Sequence, residues 1–235
     1  MDVLKQRLLD IEERIQAAAI RSGRDAGEVE ILAVTKTLPF SSACEAYALG
    51  LRLFGENRVQ EAAEKYANMK EMPQAKLHLI GHLQRNKARD ASLLFDCVES
   101  IDKAETAFAL NSFCEKAGKT MDILLEVNTS LEATKSGFAD ADSFFSALDV
   151  IQTLSNLRIR GLMTVGPLTE DKNIIRASFA SLRSLRDRVH VRYPDLDVPV
   201  LSMGMSHDFE IAIEEGSTRV RIGTALFGPR EYGNV

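Results

Sequence analysis

Apolar and polar positions along this chain fall into blocks whose period switches repeatedly between that of a helix and that of a strand. Val3, Leu4, Leu8, Ile11, Ile15 and Ala18 share one face of an opening helix, with Lys5, Arg7, Glu12, Glu13 and Arg14 mostly elsewhere, and the helix ends near Ser22-Gly23. The stretch 31–39, ILAVTKTLP, then begins as a β-branched strand buried on both faces, stops at Lys36 and is turned aside by Pro39. Ser41-Ser42 can cap a short helix that runs through Leu49, Gly50 ends it, and a brief strand over 51–54 follows.

The same unit of helix, stop and strand recurs. Helices are predicted over 59–69, 86–94, 103–117, 141–155, 174–191 and 208–215, and strands over 77–80, 96–99, 123–127, 158–163, 198–202 and 218–222. Strict alternation implies parallel strands joined by right-handed crossovers. Eight such strands at this length predict an α/β fold, a single (β/α)8 TIM barrel with an extra N-terminal helix. No linker or shift in composition interrupts the pattern, so one domain over 1–235 is expected. A doubly wound open sheet is the alternative, but no GxGxxG follows the first strand to support its dinucleotide-binding form.

Composition narrows the function classes without choosing one. A hydrophobic share of 45% supports a full core, and 29 basic against 34 acidic residues argue against a general nucleic-acid or anionic-membrane binder. Cys44, Cys97 and Cys114 are odd in number and never form a CxxC, so neither a disulfide framework nor a metal site is expected. The charged N-terminus is unlike a signal peptide and no apolar run approaches membrane-spanning length, which places the chain in the cytoplasm. The acidic, well-charged surface suggests a monomer.

In a barrel the working face is built from the carboxyl ends of the strands. Here those exits are polar: Thr35-Lys36-Thr37, Gly55-Glu56-Asn57-Arg58, Gly81-His82-Leu83-Gln84, Ser100-Ile101-Asp102, Asn128-Thr129-Ser130, Thr164-Val165-Gly166, Gly204-Met205-Ser206-His207 and Gly223-Thr224. Loops favour such residues anyway, but the exits after strands 7 and 8 are where barrels often bind phosphate. Gly204 and Ser206 lead into one helix and Gly223-Thr224 into another short turn, which together favour an anion. A lysine facing a phosphate site has a well-founded use as an amine that forms a Schiff base with an aldehyde or ketone. Two ligand classes fit: a phosphosugar handled by a cofactor-free aldolase, or pyridoxal 5′-phosphate. Arg219 and Arg221 alternate with Val220 and Ile222, so both arginines share one face of the last strand. Inside a barrel each needs a partner, either an internal carboxylate such as Glu126 or Glu56 or, for Arg221, a pyridine nitrogen.

The blocks AVTKTLP at 33–39, FGENRVQE at 54–61, HLIGHLQRNK at 78–87, VNTSLEATKSGF at 127–138, RGLMTVGP at 160–167 and LSMGMSHDFEIAIEEGSTRVRIGTALFGPR at 201–230 resemble the pyridoxal phosphate homeostasis proteins, the YggS/PROSC-type family. That family resembles the barrel domain of alanine racemase and carries pyridoxal 5′-phosphate (PLP) on a lysine as an internal aldimine, in vitamin B6 homeostasis. By resemblance Lys36 is the Schiff-base lysine, Ser206, Gly223 and Thr224 hold the phosphate, and Arg221 faces the ring nitrogen. Asn57, His82 and Met163 are placed near the ring or its substituents on the same ground. The implied partners are PLP itself and PLP-dependent apoenzymes as recipients.

Two departures from the family's pattern stand out. Leu38 occupies the position where many relatives have a second basic residue, and the tail EYGNV lacks the lysines of some relatives. Lys135, in TKSGF, is present as a loop lysine that could meet a second phosphate. Racemases use a tyrosine from a separate β-domain as their second base, whereas Tyr47, Tyr66, Tyr193 and Tyr232 fall here on predicted helices or the tail. An arginine at the ring nitrogen would also weaken the electron sink that carbanion chemistry requires. The sequence therefore favours a PLP carrier over an enzyme, with a weak amino-acid racemase and a Schiff-base aldolase, using Glu56 as its proton carrier, as alternatives.

Overall fold

The computed structural model of the chain describes residues 2–130, 132 and 134–229. Among these residues, parallel strands β1 (Glu30–Val34), β2 (Leu53–Glu56), β3 (Lys76–Leu79), β4 (Cys97–Ile101), β5 (Met121–Glu126), β6 (Leu157–Met163), β7 (Val200–Met205) and β8 (Arg219–Ile222) pair in chain order and close into a barrel. The closing seam joins β1 to β8 with Leu32 opposite Arg221 and Ala33 opposite Ile222.

Helices α2 (Phe40–Ala48), α3 (Val59–Lys65), α4 (Ala88–Leu94), α5 (Ala104–Lys116), α6 (Ala141–Ile151), α7 (Lys172–Arg192) and α8 (Phe209–Glu214) connect successive strands, and α9 (Thr224–Phe227) follows the last. Most of the hydrophobic core lies between barrel and helices, where Phe54, Phe144, Phe179 and Phe209 are fully buried. Burying each such ring contributes roughly 1.5–3 kcal/mol. The extra helix α1 (Asp2–Arg21) packs on α8 and α9, with Arg14 paired to Glu210 at 3.1 Å and Arg21 to Glu214 at 2.7 Å. Its buried face carries Leu4, Leu8, Ile11, Ile15 and Ala18, as the helical spacing predicts, whereas Val3, expected on the same face, is exposed in the first turn.

Most predicted boundaries shift by one to four residues, β7 among them at Val200–Met205 rather than 198–202, and three of the shifts coincide with local backbone contacts. Strand β2 starts two residues later than expected because the Gly50 N–H and Leu51 N–H fold back onto the Tyr47 and Ala46 carbonyls, a glycine-terminated helix cap that uses up Leu51. Helix α3 stops at Lys65 and continues as a 3-10 turn over Tyr66–Glu71. Helix α6 ends at Ile151 rather than near 155, where Thr153 turns its N–H and hydroxyl onto the Val150 carbonyl. No helix among the described residues is long and apolar enough to cross a membrane.

Candidate functional site

Alternation along the strands decides which side chains enter the barrel. On β8, Arg219 and Arg221 turn inward and are buried, while Val220 and Ile222 pack under the helices. At the carboxyl ends of the strands lies a cavity of about 380 Å³. Lys36 and Asn57 line it from the exits of β1 and β2, Ser206, Gly223 and Thr224 from those of β7 and β8, and Arg221 from the barrel interior. Val34, Ile80, Val165 and Met205 supply apolar wall. The other two residues singled out by resemblance lie elsewhere. His82 Nδ1 stands 3.3 Å from Asp102 Oδ2, and Met163 packs fully buried against Cys97 and Leu124; neither lines the cavity.

Close backbone approach shapes the hydroxyl-bearing side of the cavity. Gly204 has φ +94°, and a Cβ there would stand 2.6 Å from the Ala212 Cβ and 2.9 Å from the Phe209 Cα. Glycine thus lets β7 turn sharply over α8, where Asp208 Oδ1 accepts the Met205 N–H at 2.6 Å. Ser206 Oγ accepts the Ala225 N–H at 3.1 Å, which ties the exits of β7 and β8 together. Helices α8 and α9 are six and four residues long, so hydroxyls and local backbone rather than long helix dipoles are the polar groups on this side of the cavity. Across the mouth, a Cβ at Gly81 would meet the Asn57 carbonyl oxygen at 2.3 Å, so glycine there lets β3 leave the barrel beside Asn57.

Neither carboxylate suggested by the sequence pairs with the buried arginines. Arg221 Nη1 donates to the Ser202 carbonyl oxygen at 2.7 Å and to its hydroxyl at 2.9 Å, and Nη2 donates to the Thr164 carbonyl at 2.7 Å. Arg219 pairs with Glu99 at 2.9 Å and with Glu30 at 2.6 Å. Glu56 is unavailable because it sits on the outward face of β2, where its Oε1 receives the Thr35 hydroxyl at 2.7 Å and Lys65 Nζ at 2.8 Å. Glu126 acts on Arg221 only through its charge.

Glu99 is the hub of the interior network. It accepts from His78 Nδ1 at 2.7 Å, from Arg219 and, at 2.6 Å, from the Ser202 hydroxyl. Burial alone would raise its carboxyl, but the His78 hydrogen bond and the Arg219 charge outweigh burial and hold it well below the ordinary range. An ionised Glu99 can only accept, so His78 carries its proton on Nδ1. Donor atoms of His78, Cys97 and Glu99 lie within 4.8 Å of one another, but both Glu99 oxygens are already used and burial pushes the Cys97 thiol up, so the trio is a closed structural network. Burial likewise pulls the Arg221 guanidinium below its usual range, against the charges of Glu99, Asp208 and Glu126. Glu126 is pushed up to about 7 by burial and by the Asp102 charge.

A larger cavity, about 500 Å³, lies around the amino ends of the strands. Its charged walls are largely self-paired, with Arg158 on Asp122 at 2.8 Å and Arg219 on Glu30. Lys135 is no open phosphate ligand: its Nζ donates to the Gly166 carbonyl at 2.7 Å and pairs with Glu132 at 2.8 Å.

Sequence reasoning missed the group behind Lys36. Tyr66, buried at the end of α3, donates its hydroxyl to Thr35 Oγ1 at 2.7 Å, and burial raises its pKa. Glu61 and Lys65 on α3 bond to the peptide groups flanking Lys36. Their spacing of four announces a helical pair, but nothing local announces its contact with β1. Tyr47 packs under Arg52, Tyr193 donates to Asp149, and Tyr232 lies outside the described residues.

Comparison with known proteins yields a consistent set of relatives. The alanine racemase N-terminal domain family matches residues 8–231. A pyridoxal phosphate homeostasis protein of Pseudomonas aeruginosa is 41% identical over 233 residues, covering 99% of this chain and 98% of the relative. Its namesake from Aquifex aeolicus is 40% identical over 227 residues, covering 97% and 98%. Among solved structures, PipY of Synechococcus elongatus with PLP bound superimposes with a TM-score of 0.81 at 37% identity, covering 93% of this chain and all of that one.

Proposed function

The chain belongs to the pyridoxal phosphate homeostasis protein family, and from that premise we propose that it binds PLP through Lys36 and buffers or delivers it in vitamin B6 homeostasis. The observation that carries this reading is the cavity that sets the Lys36 amine and the Ser206 and Thr224 hydroxyls around the Arg221 guanidinium. Those donors fit an aldehyde, a phosphate and a pyridine nitrogen, and about 380 Å³ falls within the roughly 300–1,000 Å³ usual for small-ligand pockets. When bound, PLP supplies an aldehyde carbon to which an amine adds with loss of water, reversibly. Lys36 would provide that amine, Ser206, Gly223 and Thr224 would hold the phosphate, and Asn57 would stand beside the bound group. Arg221, which does not give up its proton, keeps the ring nitrogen unprotonated. His82 and Met163 do not line the cavity and are given no contact in this reading.

Holding is favoured over turnover. None of the described tyrosines lines the cavity to serve as a second base, and an arginine opposite the ring nitrogen weakens the electron sink. Glu56, the carboxylate an aldolase would need near its lysine, faces Thr35 and Lys65 instead. Three free thiols suit a reducing cytoplasm. Titration of the purified chain with PLP should produce a visible absorbance band that Lys36→Ala lacks, and the loaded protein should restore activity to a PLP-dependent apoenzyme. A chain that takes up no PLP would end this reading. Enzyme-like racemisation of an enantiopure amino acid would replace the carrier with a racemase.

A further inference from the structure

The block FGENRVQE and the AAEK that follows it place Glu56 on β2 and Glu61 and Lys65 on α3. None of the three lines the cavity. Lys65, nearly buried, donates to the Thr35 carbonyl at 2.7 Å, to Glu56 Oε1 at 2.8 Å and to Glu61 Oε1 at 3.0 Å. The same Glu61 oxygen accepts the Thr37 N–H at 2.5 Å. Peptide groups on both sides of Lys36 are thereby tied to one turn of one helix.

The remaining groups around Lys36 are fixed as well. The Thr35 N–H donates to the Gly55 carbonyl at 3.1 Å, its hydroxyl donates to Glu56 at 2.7 Å, and Tyr66 donates to that hydroxyl at 2.7 Å. Thr37 has φ +63°, alone among the described non-glycine residues in having positive φ. A threonine adopts that conformation only when its surroundings hold it there. A helix-stabilising ion pair accounts for the bond between Glu61 and Lys65, but not for two further bonds that converge on the peptide groups flanking one lysine.

We propose that Glu61 and Lys65 are positioning residues that fix the backbone on both sides of Lys36 and so aim its amine across the cavity. The inference rests on the reading of Lys36 as the PLP-bearing lysine. Attack on an aldehyde carbon requires the amine within a narrow range of positions, and a loop free to wander would present it in many.

The test compares the wild-type chain with Glu61→Leu, which removes the acceptor, and Glu61→Gln, which keeps an oxygen at that place. Hydrogen exchange of the Thr37 amide is measured without PLP, and growth of the visible band is followed after PLP is added. Glu61→Leu should speed exchange at Thr37 and slow band growth by about tenfold to a hundredfold, with a near-unchanged melting temperature, and Glu61→Gln should recover both. If Glu61→Leu does not fold, Glu61→Ala makes the same comparison. Unchanged exchange at Thr37, or faster exchange with undiminished band growth, overturns the proposal. A wild-type chain that forms no band would defeat the PLP reading instead, and the exchange data would still decide whether α3 holds this loop.

Discussion

Arg221 and Ser202 meet twice inside the barrel: one guanidinium nitrogen donates to the serine carbonyl at 2.7 Å and to its hydroxyl at 2.9 Å. That hydroxyl in turn donates to Glu99 at 2.6 Å, and Glu99 pairs with Arg219, which reaches Glu30 at the amino end of β1. A continuous polar column therefore runs from the cavity through the barrel, and Arg221 is oriented by Ser202 and Thr164, neither of which lines the cavity.

Ser202→Ala removes an acceptor from Arg221 and a donor from Glu99, both buried. Leaving such groups short of a partner costs about 1–3 kcal/mol. Urea unfolding should show a loss of that size, and PLP uptake should weaken beyond what the lost stability explains, because Arg221 is then held by the Ser202 and Thr164 carbonyls alone.

Glu126 makes stability depend on pH. It is 6% exposed and titrates at about 7 instead of the ordinary 4.5 because burial, and then the Asp102 charge, oppose its ionisation. Between those values the native chain holds a proton that the unfolded chain has released, so stability falls as pH rises through this window and levels off above it. Glu126→Gln stays neutral at every pH. It should match the wild type near pH 4.5 and be more stable above pH 7 by on the order of 2 kcal/mol, as read from unfolding curves across the range.

Gly204→Ala places a methyl group against the Ala212 Cβ and the Phe209 Cα at a positive φ. Overpacking of this kind costs about 1–3 kcal/mol, and any relief moves Ser206, two residues on. Uptake of PLP should fall more than uptake of pyridoxal, which lacks the phosphate, and comparing the two titrations isolates the effect on the phosphate-binding side.

The barrel was legible because its signals are local. Glycine stops, β-branched strands and the amphipathic face of α1 each act within a few residues, so the elements and their order are as expected while their ends move by one to four residues, at β2 because the cap at Gly50 uses up a residue. Strand exits could also be read, since alternation sends Arg221 inward and chain order sets β8 beside β1. Partners across the barrel could not, because the stagger of the strands decides which levels meet. The sequence suggests Glu126 and Glu56 as partners and does not single out Glu99, and only the closed barrel pairs Arg219 with Glu99 and turns Glu56 toward α3. Lys65 looks like a surface residue of an i, i+4 pair until α3 docks on β1.

If PLP is held covalently, Lys36 is the amine proposed to hold it. The most direct measurement loads the chain with PLP, reduces it with borohydride and maps the modified peptide by mass spectrometry. Loss of the visible band and a stable pyridoxyl phosphate adduct on Lys36 as the main product are expected. A chain that keeps its band through reduction, or carries the adduct chiefly on another lysine, would contradict it.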